Sequence, residues 1–409
     1  MIRFASVIAV LGAILAAWPA HAADPAFQQW LLTLWPEAQS LGITRATFDT
    51  ATRDLEPDLS LPDLVIPGRV ERPPSQAEFV QPPQDYVRER TIANLAGQGR
   101  KLLDQHRATL TAIEKQYGVP PGIILAIWGR ETAYGGHKLG HDAIRVLATQ
   151  AYLGRRKDQF RQEFLLALKM LQEGHVTRAN MRSSWAGAMG HTQFLPGDFY
   201  KHAVDFDGDG RRDIWGSVPD ALASAASQLV GKGWQRGKRW AYEVRVTQPV
   251  DCTIAEPSVT KPIGEWLRQG LVPAYDRKLA REELAETASL LLPEGTYGPA
   301  FLTPKNYYVI KDYNFSDLYV LFVGHLSDRI SDPRPFETPW SKNTQLRTAE
   351  VEAMQRRLTE LGLYRDKIDG KAGMLTRAAL GAYQKANSLK VDCWPTSAVL
   401  DHMRNRGTR

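Results

Sequence analysis

The stretch Val119-Pro120-Pro121-Gly122-Ile123-Ile124-Leu125-Ala126-Ile127-Trp128-Gly129-Arg130-Glu131-Thr132-Ala133-Tyr134-Gly135-Gly136 constrains this chain more than any other. Its prolines pre-set a first helical turn and its double glycine marks a stop, so a helix is expected from Pro121 to about Tyr134. Glu131 lies four residues after Ile127 and three after Trp128, which puts it on the apolar face of that helix. It also sits in the last turn, where the negative end of the helix dipole disfavours a carboxylate. Burial and dipole both push its pKa upward, and a carboxyl that stays protonated near neutrality suits a general acid. The competing reading is a helix-terminal glutamate paired with Arg130 or another base.

A second constellation is Ser183-Ser184-Trp185-Ala186-Gly187-Ala188-Met189-Gly190-His191-Thr192-Gln193-Phe194-Leu195-Pro196. Its small residues let backbones approach closely, and Ser184 and Gln193 carry a hydroxyl and an amide suited to sugar hydroxyls and N-acetyl groups. A tightly packed helix–loop contact would use the same residues. Further on, Asp205-Phe206-Asp207-Gly208-Asp209-Gly210-Arg211-Arg212-Asp213 follows the start of an EF-hand loop: acids at positions one, three, five and nine, glycine at six, and the Arg211 carbonyl at seven. Oxygen donors at this spacing suit calcium. Position twelve is Gly216 instead of a bidentate glutamate, so an Asp-Gly turn cluster satisfied by its own backbone is the alternative.

Organisation follows from pattern and composition. At 43% hydrophobic and 23% charged the chain should fold, and its 409 residues favour two or three domains. A net charge of +6, from 51 basic against 45 acidic residues, is too even for a dedicated nucleic-acid binder. Arg3, the apolar run Val7 to Trp18 and Ala20-His21-Ala22 read as a secretory signal peptide over residues 1–22, with an apolar core too short to span a bilayer. No cysteine near the cleavage point allows a lipid anchor, so the mature chain is expected in the periplasm, not membrane-spanning. In that oxidising compartment Cys252 and Cys393 are either two thiols or one bridge.

Apolar spacing predicts helices within 27–48, 86–117, 158–172, 220–232 and 318–330, with a Pro-rich loop at 61–83. Alternating β-branched and aromatic residues at Ala241–Ile254 and Tyr297–Ile310 predict a small β insertion in a mainly α fold. Residues 331–348 read as a linker, and helices at Val351–Leu361 and Leu375–Ala386 open a tail over 349–409.

The Glu131 segment, the run from Ser184 to Pro196 and the Asp-rich loop together resemble the membrane-bound lytic transglycosylase B family of peptidoglycan-cleaving enzymes, over residues 25 to 330. The resemblance implies a lysozyme-like core, with a catalytic region over 23–330. It implies cleavage of the β-1,4 bond between N-acetylmuramic acid and N-acetylglucosamine, leaving a 1,6-anhydromuramoyl end without a catalytic cofactor. In that family one glutamate acts as acid and then base, and Glu131 matches it. Ser184 and Gln193 match cleft positions, as do Arg155, Arg156, Tyr313, Asn314, Tyr319 and Tyr86. Their implied work is binding, with guanidinium groups on peptide or lactyl carboxylates and aromatic faces on sugars. Gln228 departs from the aromatic common there. The resemblance also implies a structural calcium held by Asp205, Asp207, Asp209, the Arg211 carbonyl and, at the start of the next helix, Asp220.

Residues 349 to 406, through Ile368-Asp369-Gly370-Lys371-Ala372-Gly373 and Thr376-Arg377-Ala378-Ala379-Leu380-Gly381-Ala382-Tyr383-Gln384, resemble the three-helix peptidoglycan-binding domain, although Lys371 to Met374 differ from its usual loop. The expected partner is the glycan strand, with wall-synthesis or remodelling proteins as further candidates and the chain acting as a monomer. Competing readings are a water-using muramidase with Glu163 or Asp142 as second carboxylate, a wall-binding protein without catalysis, and a calcium sensor, for which one loop without a paired second hand is poor material.

Overall fold

In the computed structural model, which describes residues 24–69 and 81–406, the helix Pro121–Thr132 runs through the middle of the largest apolar core. The expected signal peptide lies outside the described residues. Ile123 to Gly129 are all buried, so this helix has no solvated face and needs neighbours all round. Glu89–Gln105, Val218–Gly231 and Asp317–Ser331 supply them. Each buried Ile or Leu contributes roughly 1.5–3 kcal/mol relative to exposure.

The helix stops at Thr132, two residues before the sequence suggests. Ala133 caps it in the left-handed region (φ 48°), followed by Tyr134 (φ 59°) and Gly135 (φ 81°). A left-handed residue other than glycine costs roughly 1–2 kcal/mol. Packing of Tyr134 compensates: its ring lies against Gly99 and Gly129, where an added Cβ would come within 2.7 Å of it. Its hydroxyl donates to the Leu95 carbonyl at 3.0 Å.

The expected helical region 27–48 is three helices, Pro25–Thr33, Trp35–Ser40 and Arg45–Thr52, interrupted by Pro36 and by Gly42 at φ 79°. They close a second core with Ala143–Leu153 and Lys157–Gln172, around Phe27, Phe48, Phe160 and Phe164. No helix among the described residues is long and apolar enough to cross a membrane.

The β insertion is a five-stranded antiparallel sheet in the order Thr260–Pro262, Thr287–Leu291, Ala300–Thr303, Tyr242–Val246, Leu271–Pro273. Leu302 is the register point, opposite Leu290 on one side and Tyr242 on the other. The expected strand to Ile310 ends at Thr303. After Pro304 the chain is helical from Lys305 to Asn314, burying Asn306, Tyr307, Val309 and Ile310 on one face. Aromatic and β-branched side chains fill either pattern, and the proline sets the switch. The alternation at Ala241–Ile254 likewise ends at Val246, and a short 3-10 turn occupies Cys252–Ile254.

The tail is three helices, Thr348–Glu360, Met374–Ala386 and Ser397–Arg406, around Met354, Leu358, Leu380, Tyr383, Leu400 and Met403. Buried Gln355 ties its central loop, accepting from the Asp369 and Gly370 N–H groups and donating to the Lys371 carbonyl. The tail is fastened to the sheet. Cys252 and Cys393 form a disulfide, Thr296 N–H donates to the Asp392 carbonyl at 3.0 Å, and Tyr297 donates to the Asp392 carboxylate at 2.7 Å. Residues 332–347 form no helix or strand, yet they are pinned along their length. The Glu243 carboxylate accepts the Glu337 and Thr338 N–H groups, and Phe336 stacks on His325.

Candidate functional site

Glu131 occupies the last turn of the central helix and is half-buried. The Tyr319 hydroxyl donates to its Oε1 at 2.5 Å. Tyr319 comes from the first turn of Asp317–Ser331, a helix capped by the Ser316 side chain. Burial, then the Glu131 carboxylate beside it, pushes the Tyr319 phenol well above its ordinary range, so it remains a donor at any physiological pH. Tyr313 stacks on Tyr319 at 6.2 Å with nearly parallel rings, and its hydroxyl donates to the Thr192 carbonyl at 2.6 Å. A stacked tyrosine pair thus links the glutamate to the small-residue motif.

That motif is joined to the glutamate's helix at two further points, with a third bond fixing the helix end. Thr132 Oγ1 donates to the His191 carbonyl at 2.8 Å, the Gly135 N–H donates to Thr132 Oγ1 at 3.1 Å, and Trp128 Nε1–H donates to His191 Nδ1 at 3.0 Å. Burial lowers the His191 pKa, in keeping with a neutral ring that accepts from the indole. The loop closes on itself through reciprocal Met189–Phe194 backbone bonds and the Ser184 N–H to the Ala188 carbonyl. At Gly190 (φ 72°) a Cβ would stand 2.7 Å from the Ile214 carbonyl, so the small residues are structurally required.

The sequence-predicted residues divide. Tyr319 bonds Glu131 and Tyr313 stacks on Tyr319, Asn314 follows Tyr313, and Ser184 and Gln193 lie on the loop bonded to the end of the Glu131 helix. Gln193 has left-handed backbone (φ 58°) and its amide donates to the Gly190 carbonyl; Ser184 Oγ accepts the Ala188 N–H. Asn314 Oδ1 is buried without a hydrogen-bond partner among the described residues, an acceptor suited to a substrate hydroxyl or amide. Tyr319 is 1% exposed, so it offers no face to a sugar and acts on Glu131 instead. Tyr86 is also buried: its hydroxyl accepts from Arg130 at 2.6 and 3.0 Å, and Arg130 lies between the Tyr86 and Phe322 rings. It holds Arg130, the residue before the glutamate. Arg155 and Arg156 stand at the junction of Ala143–Leu153 and Lys157–Gln172, with Arg155 Nε 3.1 Å from the Asp63 carboxylate. Asp63, buried and left-handed at φ 65°, comes from the Pro-rich loop and was not legible as a site residue. Gln228 is buried in Val218–Gly231.

Both carboxylates weighed as a second catalytic acid have structural partners. Asp142 caps Ala143–Leu153 by accepting the Ile144 and Arg145 N–H groups and pairs with Arg178 at 2.7 Å. Glu163 accepts the Gly197 N–H at 2.7 Å, where Pro196–His202 begins.

In the acidic loop, Asp205, Asp207 and Asp209 each bring an oxygen within 4.8 Å of the others, a hard-donor set that fits calcium. Asp220 does not join them. It is fully buried under the loop, and its two oxygens accept the N–H groups of Phe206, Asp207 and Asp213. Asp220 thus braces the loop from beneath through three backbone donors.

Residues 26–328 match the model described as Transglycosylase SLT domain, and residues 347–403 that described as Putative peptidoglycan binding domain. Membrane-bound lytic murein transglycosylase B of Escherichia coli K12 is 29% identical over 281 residues, 68% of this chain and 74% of that protein. The crystal structure of SltB3 from Pseudomonas aeruginosa in complex with NAG-NAM-pentapeptide matches with TM-score 0.83 and 38% identity, over 92% of this chain and 99% of that one. Slt35 of Escherichia coli in complex with calcium matches with TM-score 0.55 and 25% identity, over 76% of this chain and 96% of that one. The chain therefore belongs to the SLT-domain transglycosylase family and carries a peptidoglycan-binding domain behind its catalytic region.

Proposed function

We propose that this protein is a lytic murein transglycosylase in which Glu131 is both acid and base. The observation that carries the reading is one carboxyl at the end of a buried helix, gripped by the Tyr319 hydroxyl and bordered by the Ser184–Gln193 loop. Protonated Glu131 gives its proton to the glycosidic oxygen between N-acetylmuramic acid and N-acetylglucosamine as the C1–O bond breaks. The muramoyl C6 hydroxyl then bonds to C1 and returns its proton to Glu131. No water is consumed, and the tethered nucleophile supplies the effective concentration that a second carboxylate would otherwise provide. The hydrogen bond from Tyr319 holds Glu131 in one orientation through both transfers, and no cofactor takes part. The commitments of Asp142 and Glu163 favour this over a water-using muramidase.

Digesting purified sacculi and weighing the soluble muropeptides tests it. The expected products carry 1,6-anhydromuramoyl ends; products one water heavier would mean hydrolysis instead.

For the acidic loop we infer a structural calcium held by Asp205, Asp207, Asp209 and the Arg211 carbonyl, fixing the turn between the Gln193 segment and Val218–Gly231. Calcium at a hundredfold excess over its Kd stabilises by about 2.7 kcal/mol, which should raise the melting midpoint by roughly 2–6 °C. Asp207→Asn should remove that response, and a parent midpoint indifferent to calcium and chelator would mean that the loop satisfies itself. The reading places the protein in the cell envelope, with glycan strands as its partner.

A further inference from the structure

A cavity of about 310 Å³ lies at the joint between the catalytic region and the tail, and neither forms it alone. Lys311 and the turn Phe315–Leu318 line one side, and Asp366, Lys371 and Arg377 line the other. The disulfide and the Asp392 contacts hold the two sides together, so the cavity is a fixed feature of the fold.

Two observations mark it as a binding site. Arg377 is 9% exposed, and its Nη2 has no hydrogen-bond partner among the described residues. Lys311 and the Tyr307 hydroxyl bond Asp317 through Oδ1, at 2.6 and 2.8 Å, and leave its Oδ2 3.7 Å from Arg377 Nη2, beyond hydrogen-bond distance. The Arg377 Nη1 donates to the Ala372 carbonyl, so it is the Nη2 edge alone, with one distant carboxylate oxygen, that is suited to a carboxylate from outside. Independently, Phe315 lines the same cavity 77% exposed, with left-handed backbone at φ 54°. A strained residue presenting a large apolar side chain is costly to the fold alone.

One segment of the chain links the cavity to the chemistry. Phe315 follows Tyr313 and Asn314 directly, and Tyr313 stacks on the tyrosine that holds Glu131. We propose that this joint cavity is a subsite for the peptide stem carried by the muramoyl residue in the cleft, a stem carboxylate meeting Arg377 and its apolar portion covering Phe315. This rests on the transglycosylase reading above. Asp366 and Lys371 in the lining give a stem's ammonium and carboxylate groups opposite charges to meet.

The test compares glycan strands bearing pentapeptide stems with the same strands stripped by an amidase. Phe315→Ser, at an exposed position, and Arg377→Gln, with its melting curve recorded, should each raise KM on stem-bearing strands about tenfold, the equivalent of one lost contact of roughly 1.4 kcal/mol. KM on stripped strands and kcat on both should stay at parental values. Equal KM changes on the two substrates, or none, would overturn the subsite. Should the parent cleave neither strand, the proposed function would fall, and calorimetry with the released pentapeptide would still decide the cavity. Binding to the parent that Phe315→Ser abolishes supports it, and no binding to the parent rejects it.

Discussion

Glu131→Gln is expected to reduce kcat toward the upper end of the roughly 10²–10⁴-fold range for loss of a general acid–base group, because one side chain performs both transfers. The amide is isosteric and keeps an oxygen for the Tyr319 hydroxyl, so the melting midpoint should hold. That combination separates a chemical role from a packing role. KM should change little, since the variant still presents the same surface to the glycan. Release of muropeptides at the parental rate would remove Glu131 from the mechanism and leave the family assignment standing.

Breaking the Cys252–Cys393 bridge should produce the largest stability effect. The cystine spans 141 residues of sequence, and in chain-entropy terms a closure of that length restricts the unfolded state strongly. Cys252→Ser with Cys393→Ser is expected to destabilise by about 2–4 kcal/mol. Calorimetry should show either a lower midpoint or a separate early transition for the tail. The bridge does not act alone: Lys385 meets Asp251 at 3.1 Å, and the Asp392 contacts lie beside Cys393. An unchanged melt would assign the docking to those contacts.

What the sequence carried, it carried through local chemistry. Pro121 and the apolar run after it placed the central helix, and the run from Ser183 to Pro196 could be read as a backbone-crossing motif because its glycines have few other uses. Features set by distant partners were illegible. The helix end depends on Tyr134 packing against Gly99 and Gly129, and no rule about Gly135-Gly136 contains that. Ala143–Leu153 is buried at Ala143, Ile144, Val146, Leu147 and Ala148, leaving little amphipathic contrast to detect. Asp63 reaches Arg155 from a loop whose prolines say only that it is a loop. Tyr319 was legible as a cleft residue by resemblance, but its burial and its hold on Glu131 required the fold.

The hydroxyl that orients Glu131 lies 188 residues further along the chain. During synthesis the glutamate therefore emerges long before its partner, and the pair comes together only once nearly the whole catalytic region has collapsed. A nascent or proteolytically shortened chain ending before Tyr319 would hold the acidic group but not its orienting donor. Under the proposed mechanism, orientation of the acid thus coincides with completion of the domain.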